Sequence, residues 1–313
     1  MVIFSIIELM DEQKYYDYLV KILHPKGLCC PKCDASVLQS KTHRSDRAPV
    51  LYFHCSCGRI YNAFAGTFWQ GTHYNCSLIV RILQGVSQGI STLHLSKELN
   101  IDYKTLLNRR HAMQEFASKS CIREPLTDNV VEADEMYQNA GEKGILHPDP
   151  NDPPRVRANK ARGHGTWEKD RPPVLGIVGR ESEQIQLILK KNSARSDLES
   201  DVLNATMDGT TINTDEWGAY NHLSEAQRIH DTVCHAPGRR EWARDDDGDG
   251  VREVHTNTIE GLWTGLRNFL RPFRGVNKCY LQQYLALHEW AHNLKEITLE
   301  FLQILCGVTQ KAT

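Results

Sequence analysis

Two closely spaced cysteine pairs, Cys30-Pro31-Lys32-Cys33 and Cys55-Ser56-Cys57-Gly58, limit what the first part of this chain can fold into. Zinc takes four tetrahedral ligands, and Cys30, Cys33, Cys55 and Cys57 supply four thiolates once two tight turns meet. β-type residues 50–53 lead into the second pair, so a zinc ribbon with a closed, structural zinc is expected. The second pair is Cys-x-Cys, a short knuckle that leaves His54 and Cys29 as substitute ligands. The chain has 10 cysteines, and residues 1–10 lack the basic start of a secretory signal. A reducing, cytoplasmic setting follows, where clustered thiols bind metal rather than pair. No run approaches the ~18 apolar residues that a membrane span requires. Residues 8–23 carry apolar side chains at helical spacing and read as an amphipathic helix ended by Pro25 and Gly27.

The net charge of −2 hides an asymmetry. Residues 1–125 hold 15 Lys and Arg against 10 Asp and Glu; the rest of the chain holds 22 against 29. A basic first part suits DNA, and an acidic second part suits carboxylate metal sites. Residues 76–117 read as helical with a break at 85–89. Within them, residues 90–113 have the spacing of helix, three-residue turn and second helix, with Leu95, Leu99 and Ile101 set to pack on Leu106 and Leu107. Lys104, Asn108, Arg109 and His111 are expected to face outward on the second helix, as DNA recognition by a helix-turn-helix requires. Domains are therefore expected at 1–75 (N-terminal helix and zinc ribbon), 76–125 (helix-turn-helix) and 126–313 (catalytic).

The third region alternates strand and helix signals, a mixed α/β pattern. Residues 129–137 form a strand with Asp134 toward its end, and 139–172 a long loop that includes the basic cluster Arg155, Arg157, Lys160, Arg162, Lys169 and Arg171. A hairpin is expected at 173–190, a helix at 193–207, a short strand at 211–214 running into Asp215, and a last strand at 228–234. Residues 255–278 place Ile259, Leu262, Trp263, Leu266, Phe269 and Leu270 on one helical face, stopped by Pro272. Asn257, Glu260, Thr264, Arg267 and Arg271 occupy the opposite face, with Glu260 and Arg267 two turns apart. On its own this stretch also fits a capping box, Asn257 as N-cap and Glu260 as its N3 partner. A long helix at about 280–305 completes the chain.

Asp134 and Asp215 end strands that can lie side by side, and Glu260 can enter from a helix packed on the sheet. Three converging carboxylates repel one another unless a divalent cation is present, and Mg²⁺ suits hard oxygen donors while keeping room for water and phosphate. Asp245, Asp247, Asp249 and Gly250 match the start of an EF-hand loop, but position 12 is Thr256 rather than Glu, so a solvated acidic loop is expected there.

The segments VEADEMY, ANKARGHGTWEKDRPPVLGIVGRES, TDEWGAYNHL and REVHTNTIEGLWTGLRNFLRPFRGVNK, followed by YLALHEWAHN, resemble bacterial insertion-sequence transposases of the DDE type. The group is the one with an N-terminal zinc ribbon, related to the eukaryotic Merlin elements. The resemblance implies a ribonuclease-H-like mixed-sheet core, preceded by the zinc ribbon and the helix-turn-helix. It implies an enzyme that binds element ends, cleaves phosphodiester bonds and joins 3′-hydroxyl ends to target DNA with two Mg²⁺ ions. Asp134, Asp215 and Glu260 take the acidic positions, Arg267 the basic one, and Asn257 is a rival or helper to Glu260. Double-stranded DNA, both terminal inverted repeats and target, is the implied partner, and a homo-oligomer the implied active form. Two other readings share these features: a silent or domesticated DNA-binding protein, and a simple Mg²⁺-dependent nuclease.

Overall fold

The structure, a computed structural model, describes residues 11–141, 165–235, 238–239 and 241–308. The first turns of the expected N-terminal helix and the basic residues Arg155, Arg157, Lys160 and Arg162 lie outside the described residues. Two compact units result. One contains the described residues up to 120 together with 294–308, and the other contains the described residues between 121 and 293.

In the first unit, helix α1 (Glu12–Leu23) starts at Asp11, whose carboxylate accepts the Gln13 and Lys14 amides. Strands β1 (Lys41–Arg44), β2 (Tyr52–His54) and β3 (Ile60–Tyr61) form a small antiparallel sheet beneath the cysteine turns. Three helices follow: α2 (Cys76–Ser87), α3 (Thr92–Leu99) and α4 (Tyr103–Lys119). The break between α2 and α3 falls after Ser87 rather than at Gly85, which stays helical. A Cβ at Gly85 would meet Leu95 Cδ1 at 2.6 Å, so the glycine is what lets α2 and α3 touch.

The turn between α3 and α4 is the expected three residues. Asn100 takes the left-handed conformation at φ 51°, and Asp102 caps α4 through the Thr105 amide at 2.8 Å. Leu95, Leu99, Ile101 and Leu106 are buried as anticipated. The outward face differs from the expectation. Lys104 and Asn108 are exposed. Arg109, however, turns back to donate to the Phe68 carbonyl at 2.8 Å and lies over the Phe68 and Trp69 rings. His111 is half-buried, and burial pushes its imidazole down to about 4. Arginine at such a position satisfies a local carbonyl and an aromatic pair that periodicity alone cannot see.

The second unit is built on a five-stranded sheet of β4 (Val130–Tyr137), β5 (Pro173–Gly179), β6 (Ile185–Leu189), β7 (Thr211–Asp215) and β8 (Ile229–Val233). Its order is β6-β5-β4-β7-β8; β4 to β6 pair antiparallel, whereas β7 runs parallel to both β4 and β8. This strand order and mix of directions is the ribonuclease-H-like arrangement. Every residue of β5 is buried, as a strand covered on both faces requires. One face carries α5 (Arg195–Asn204) and a pair of short helical turns, closed over Val131, Ala133, Leu175 and Ile212.

A two-residue ribbon, β9 (Ala243–Arg244) with β10 (Val254–His255), leads into α6 (Asn257–Leu270), and α7 (Lys278–Leu294) follows. These two helices bury the other face. Ile259, Leu262, Trp263, Leu266 and Leu270 pack with Leu281, Tyr284 and Leu285 over Val174, Val178 and Leu187. The expected single helix at 280–305 is in fact two. Lys295 adopts φ 58°, and Thr298 starts α8 (Leu299–Leu305) by accepting from the Phe301 amide. The described residues from 294 onward belong with the first unit, where α8 packs on α1 and α4, so the second unit ends at residue 293 rather than at the expected 313.

One pH effect follows from α7. His288 is half-buried against Phe269, with ring centroids 5.0 Å apart. Burial, helped by His292, holds its pKa down at about 4. A histidine kept neutral in the fold but charged in the unfolded chain makes stability fall as pH drops from about 6.5 toward 4. His288→Phe is expected to flatten that fall by about 2 kcal/mol, measured by urea unfolding at pH 6.5 and 4.5. Equal slopes for parent and variant would refute the assignment.

Candidate active site and zinc cluster

The four expected thiols come together. Cys30 Sγ lies 3.7 Å from Cys57 Sγ, and Cys33 Sγ lies 3.5 Å from Cys55 Sγ. All four sulfurs lie within 4.8 Å of one another. A tetrahedron with metal–sulfur bonds of about 2.3 Å has edges of about 3.8 Å, so the cluster fits zinc. Cys29 and His54, the two substitutes, are outside it; Cys29 instead bridges to Ser36, and His54 ends β2.

The acidic site is assembled by strand register. Glu132 of β4 is paired with Asn213 of the parallel strand β7, and Asp134 and Asp215 each lie two residues further along. With a side-chain period of two, both aspartates emerge on the face that carries α6. Asp134 is held by the Trp263 indole, whose Nε1 donates to Oδ2 at 2.7 Å. That contact depends on Gly176, the register partner of Asp134 on β5; a Cβ there would meet Trp263 at 2.3 Å. Asp215 Oδ1 accepts the Trp217 amide at 3.0 Å.

Glu260 stands in the first turn of α6 with its side chain 47% exposed. Burial pushes Asp134 up to about 6, working against the Trp263 hydrogen bond, and the charges of Asp215 and Glu260 add to the rise. Asp134 is thus the carboxylate on which the charges of the other two act. The three are not gathered as tightly as the thiols, since all their ligand atoms do not fall within 4.8 Å of one another.

Asn257 is the first residue of α6, not its cap. Thr256 precedes the helix, and the Asn257 amide faces His255 Nδ1 at 3.3 Å. The capping-box reading of Asn257 and Glu260 is thereby replaced. Arg267 is exposed in the last turn of α6, two turns from Glu260.

Several neighbours escaped the sequence reading. Glu132 is fully buried on the Asp134 face of β4, a placement that the period of two within VEADE could have revealed. Glu135 is on the other face beside Tyr220; burial, then the charges of Asp134 and Asp215, push it up to about 8. His235 follows β8, with Nε2 at 3.2 Å from Thr256 Oγ1 and 3.7 Å from Glu260 Oε1, and its ring 4.9 Å from Trp242. No short motif marks it.

The acidic loop at 245–253 draws Asp245, Asp247, Asp249 and Glu253 within 4.8 Å. Its fourth carboxylate comes from position 9 rather than 12, and its oxygens already accept the Asp246, Gly248 and Gly250 amides.

The ISXO2-like transposase domain family matches residues 125–293, more than half of the chain and nearly the whole second unit. The chain belongs to that family. An uncharacterized protein in transposable element ISH50 of Halobacterium salinarum is 28% identical over 281 residues, covering 88% of this chain and 89% of the relative. The match to an insertion-element protein agrees with membership of this transposase family.

Among solved structures, one similar chain is from the simian T-cell lymphotropic virus intasome in complex with PP2A regulatory subunit B56 gamma. It is 15% identical, covers 67% of each chain and has a TM-score of 0.31. The HTLV-2 integrase catalytic core domain in complex with magnesium is 13% identical, with a TM-score of 0.29 over 54% of this chain and 87% of that one. At these TM-scores the fold assignment rests on the sheet order alone. No helix among the described residues is long and apolar enough to cross a membrane.

Proposed function

We propose that this family member binds the ends of an insertion element, cleaves phosphodiester bonds there and joins the 3′-hydroxyl ends to target DNA, acting as a homo-oligomer. What supports the reading is that β4 and β7 pair in parallel, with Asp134 and Asp215 each two residues past the Glu132–Asn213 pair, and that Glu260 stands in the first turn of the helix packed on that face of the family-matched unit. The oxygen donors and mutual repulsion of the three carboxylates suit two Mg²⁺ ions, which when bound would activate water or a 3′-hydroxyl and neutralise the leaving oxygen. The chain's own residues do the rest. Trp263 fixes Asp134 Oδ2, the N-terminal turn of α6 presents Glu260, and exposed Arg267 meets a DNA phosphate. Glu260 rather than Asn257 fits the third acidic role, because a carboxylate is a stronger Mg²⁺ donor than a neutral amide. No nucleotide cofactor is required, since strand transfer exchanges one phosphodiester for another.

The deciding experiment incubates the full chain with pre-cut element ends and a target duplex, with Mg²⁺ or with EDTA. Joined products that need Mg²⁺ support the proposal. Nicking without joining would instead mark a simple nuclease, and binding with neither would mark a DNA-binding protein.

The zinc ribbon and the α3–α4 pair are proposed to supply the end contacts. Arg109 is unsuitable as a probe because it braces Phe68, whereas exposed Lys104 at the start of α4 is free of that role. Lys104→Ala is expected to weaken end binding and to lower the slope of log K against log salt by about 0.9, the loss of one phosphate contact. An unchanged slope in titrations at several salt concentrations would remove α4 from the DNA interface.

A further inference from the structure

We infer that Glu132 and Asn213, a register pair that precedes the two aspartates, form a positioning clamp that sets Glu260 against Asp134 and Asp215. The inference rests on reading those three carboxylates as the metal-binding set. Glu132 is fully buried. Its Oε2 accepts the Ile259 amide at 2.9 Å, and its Oε1 accepts the Thr258 hydroxyl at 2.8 Å, both in the first turn of α6. A carboxylate here does what a capping side chain would do and also favours the positive end of the helix dipole. It comes from β4, however, so the helix start is tied directly to the strand that bears Asp134.

The partner strand holds the same segment. Asn213 Nδ2 donates to the His255 carbonyl at 3.3 Å and to the Glu253 carbonyl at 3.4 Å. Arg180 completes the clamp: its Nε donates to Glu132 Oε1 at 2.8 Å and its Nη2 to the His255 carbonyl at 2.7 Å, while Nη1 reaches the Glu253 carbonyl. Segment 253–259 is thus gripped from both strands, each time two residues before the aspartate that strand presents. Glu260 is the next residue along. Buried charge pairs of this kind are weak devices for stability but specify geometry, because every oxygen of Glu132 has a defined donor.

The test compares the full-length parent with Glu132→Gln, Thr258→Val, Thr258→Ser and Asp134→Asn by calorimetric titration with Mn²⁺. Amide exchange across residues 257–263 is followed in parallel. Thr258→Val removes one donor to Glu132 without touching the buried pair, so it stays informative if Glu132→Gln unfolds. Glu132→Gln and Thr258→Val are expected to weaken Mn²⁺ binding by about 10–100-fold, as loss of groups behind metal ligands does. Thr258→Ser should restore it to near the parent value, and the Ile259 amide should exchange faster in the first two variants only.

Parent-like Mn²⁺ affinity in Glu132→Gln and Thr258→Val would overturn the clamp, even with faster exchange, since Glu132 would then be structural alone. If the parent binds no Mn²⁺ and Asp134→Asn changes nothing, the metal reading of the site fails. The clamp, which rests on that reading, falls with it, whereas Mn²⁺ binding weakened in Asp134→Asn alone overturns the clamp and leaves the metal reading standing.

Discussion

Glu260→Gln is expected to leave the chain folded and bound to element ends, while the proposed Mg²⁺-dependent cleavage and joining fall by roughly a thousandfold or more. The separation of folding from chemistry follows from where Glu260 sits. Its side chain is close to half exposed, and the start of α6 is capped by Glu132 rather than by Glu260 itself. Losing the Glu260 charge would therefore remove the proposed metal ligand without leaving a buried group unpaired. Asp134→Asn should lose activity to the same degree. Burial and two neighbouring carboxylates work against its charge, so the variant is also expected to be no less stable than the parent in EDTA.

Asn257→Ala is the control. Asn257 is exposed at the first position of α6, and its replacement is expected to cost less than about tenfold, the scale of a lost peripheral contact. Strand-transfer kinetics with pre-cut ends, alongside gel-shift binding and urea unfolding, measure all three variants. Should Glu260→Gln keep near-normal rates while Asn257→Ala abolishes them, the third role belongs to Asn257.

The second large effect is loss of zinc. Purified chain is expected to carry about one zinc, bound by Cys30, Cys33, Cys55 and Cys57. Cys55→Ser should reduce this to near zero and unfold the ribbon around β1–β3, whose strands are only four, three and two residues long. Sheets that short have little core, so the apparent metal-binding energy of about 10–16 kcal/mol acts as folding energy. The unit at 121–293, with apolar clusters on both sheet faces, should keep its own unfolding transition. Cys279→Ser, an exposed thiol outside the cluster, should keep its zinc. Metal analysis with limited proteolysis reads both outcomes, and well-folded parent protein lacking zinc would end the ribbon assignment.

How much of this was legible beforehand differs from element to element. Four cysteines in two tight turns carry their chemistry wherever the chain takes them, so the cluster could be named from spacing. The apolar face of α6 was equally plain, since periodicity states which side of a helix is buried. Asp215 was marked by its place at a strand end, whereas Asp134, expected at one too, lies within β4, which runs on in register with β5 to Tyr137. What periodicity does not state is the partner. The site exists because β4 and β7 pair in parallel with Glu132 opposite Asn213; a slip of one residue would turn one aspartate to the far face of the sheet.

The same limit explains the differences at other positions. Arg109 had the spacing of an exposed recognition residue, yet Phe68 and Trp69, some forty residues earlier, claim its guanidinium. The helical pattern ran on through 295, but the described residues after it bury their apolar face with α1 and α4. Local sequence alone determined which elements form and which side chains carry reactive groups. Only tertiary pairing decided which groups meet, because register and long-range hydrogen bonds such as Glu132 to Ile259 join residues more than a hundred positions apart.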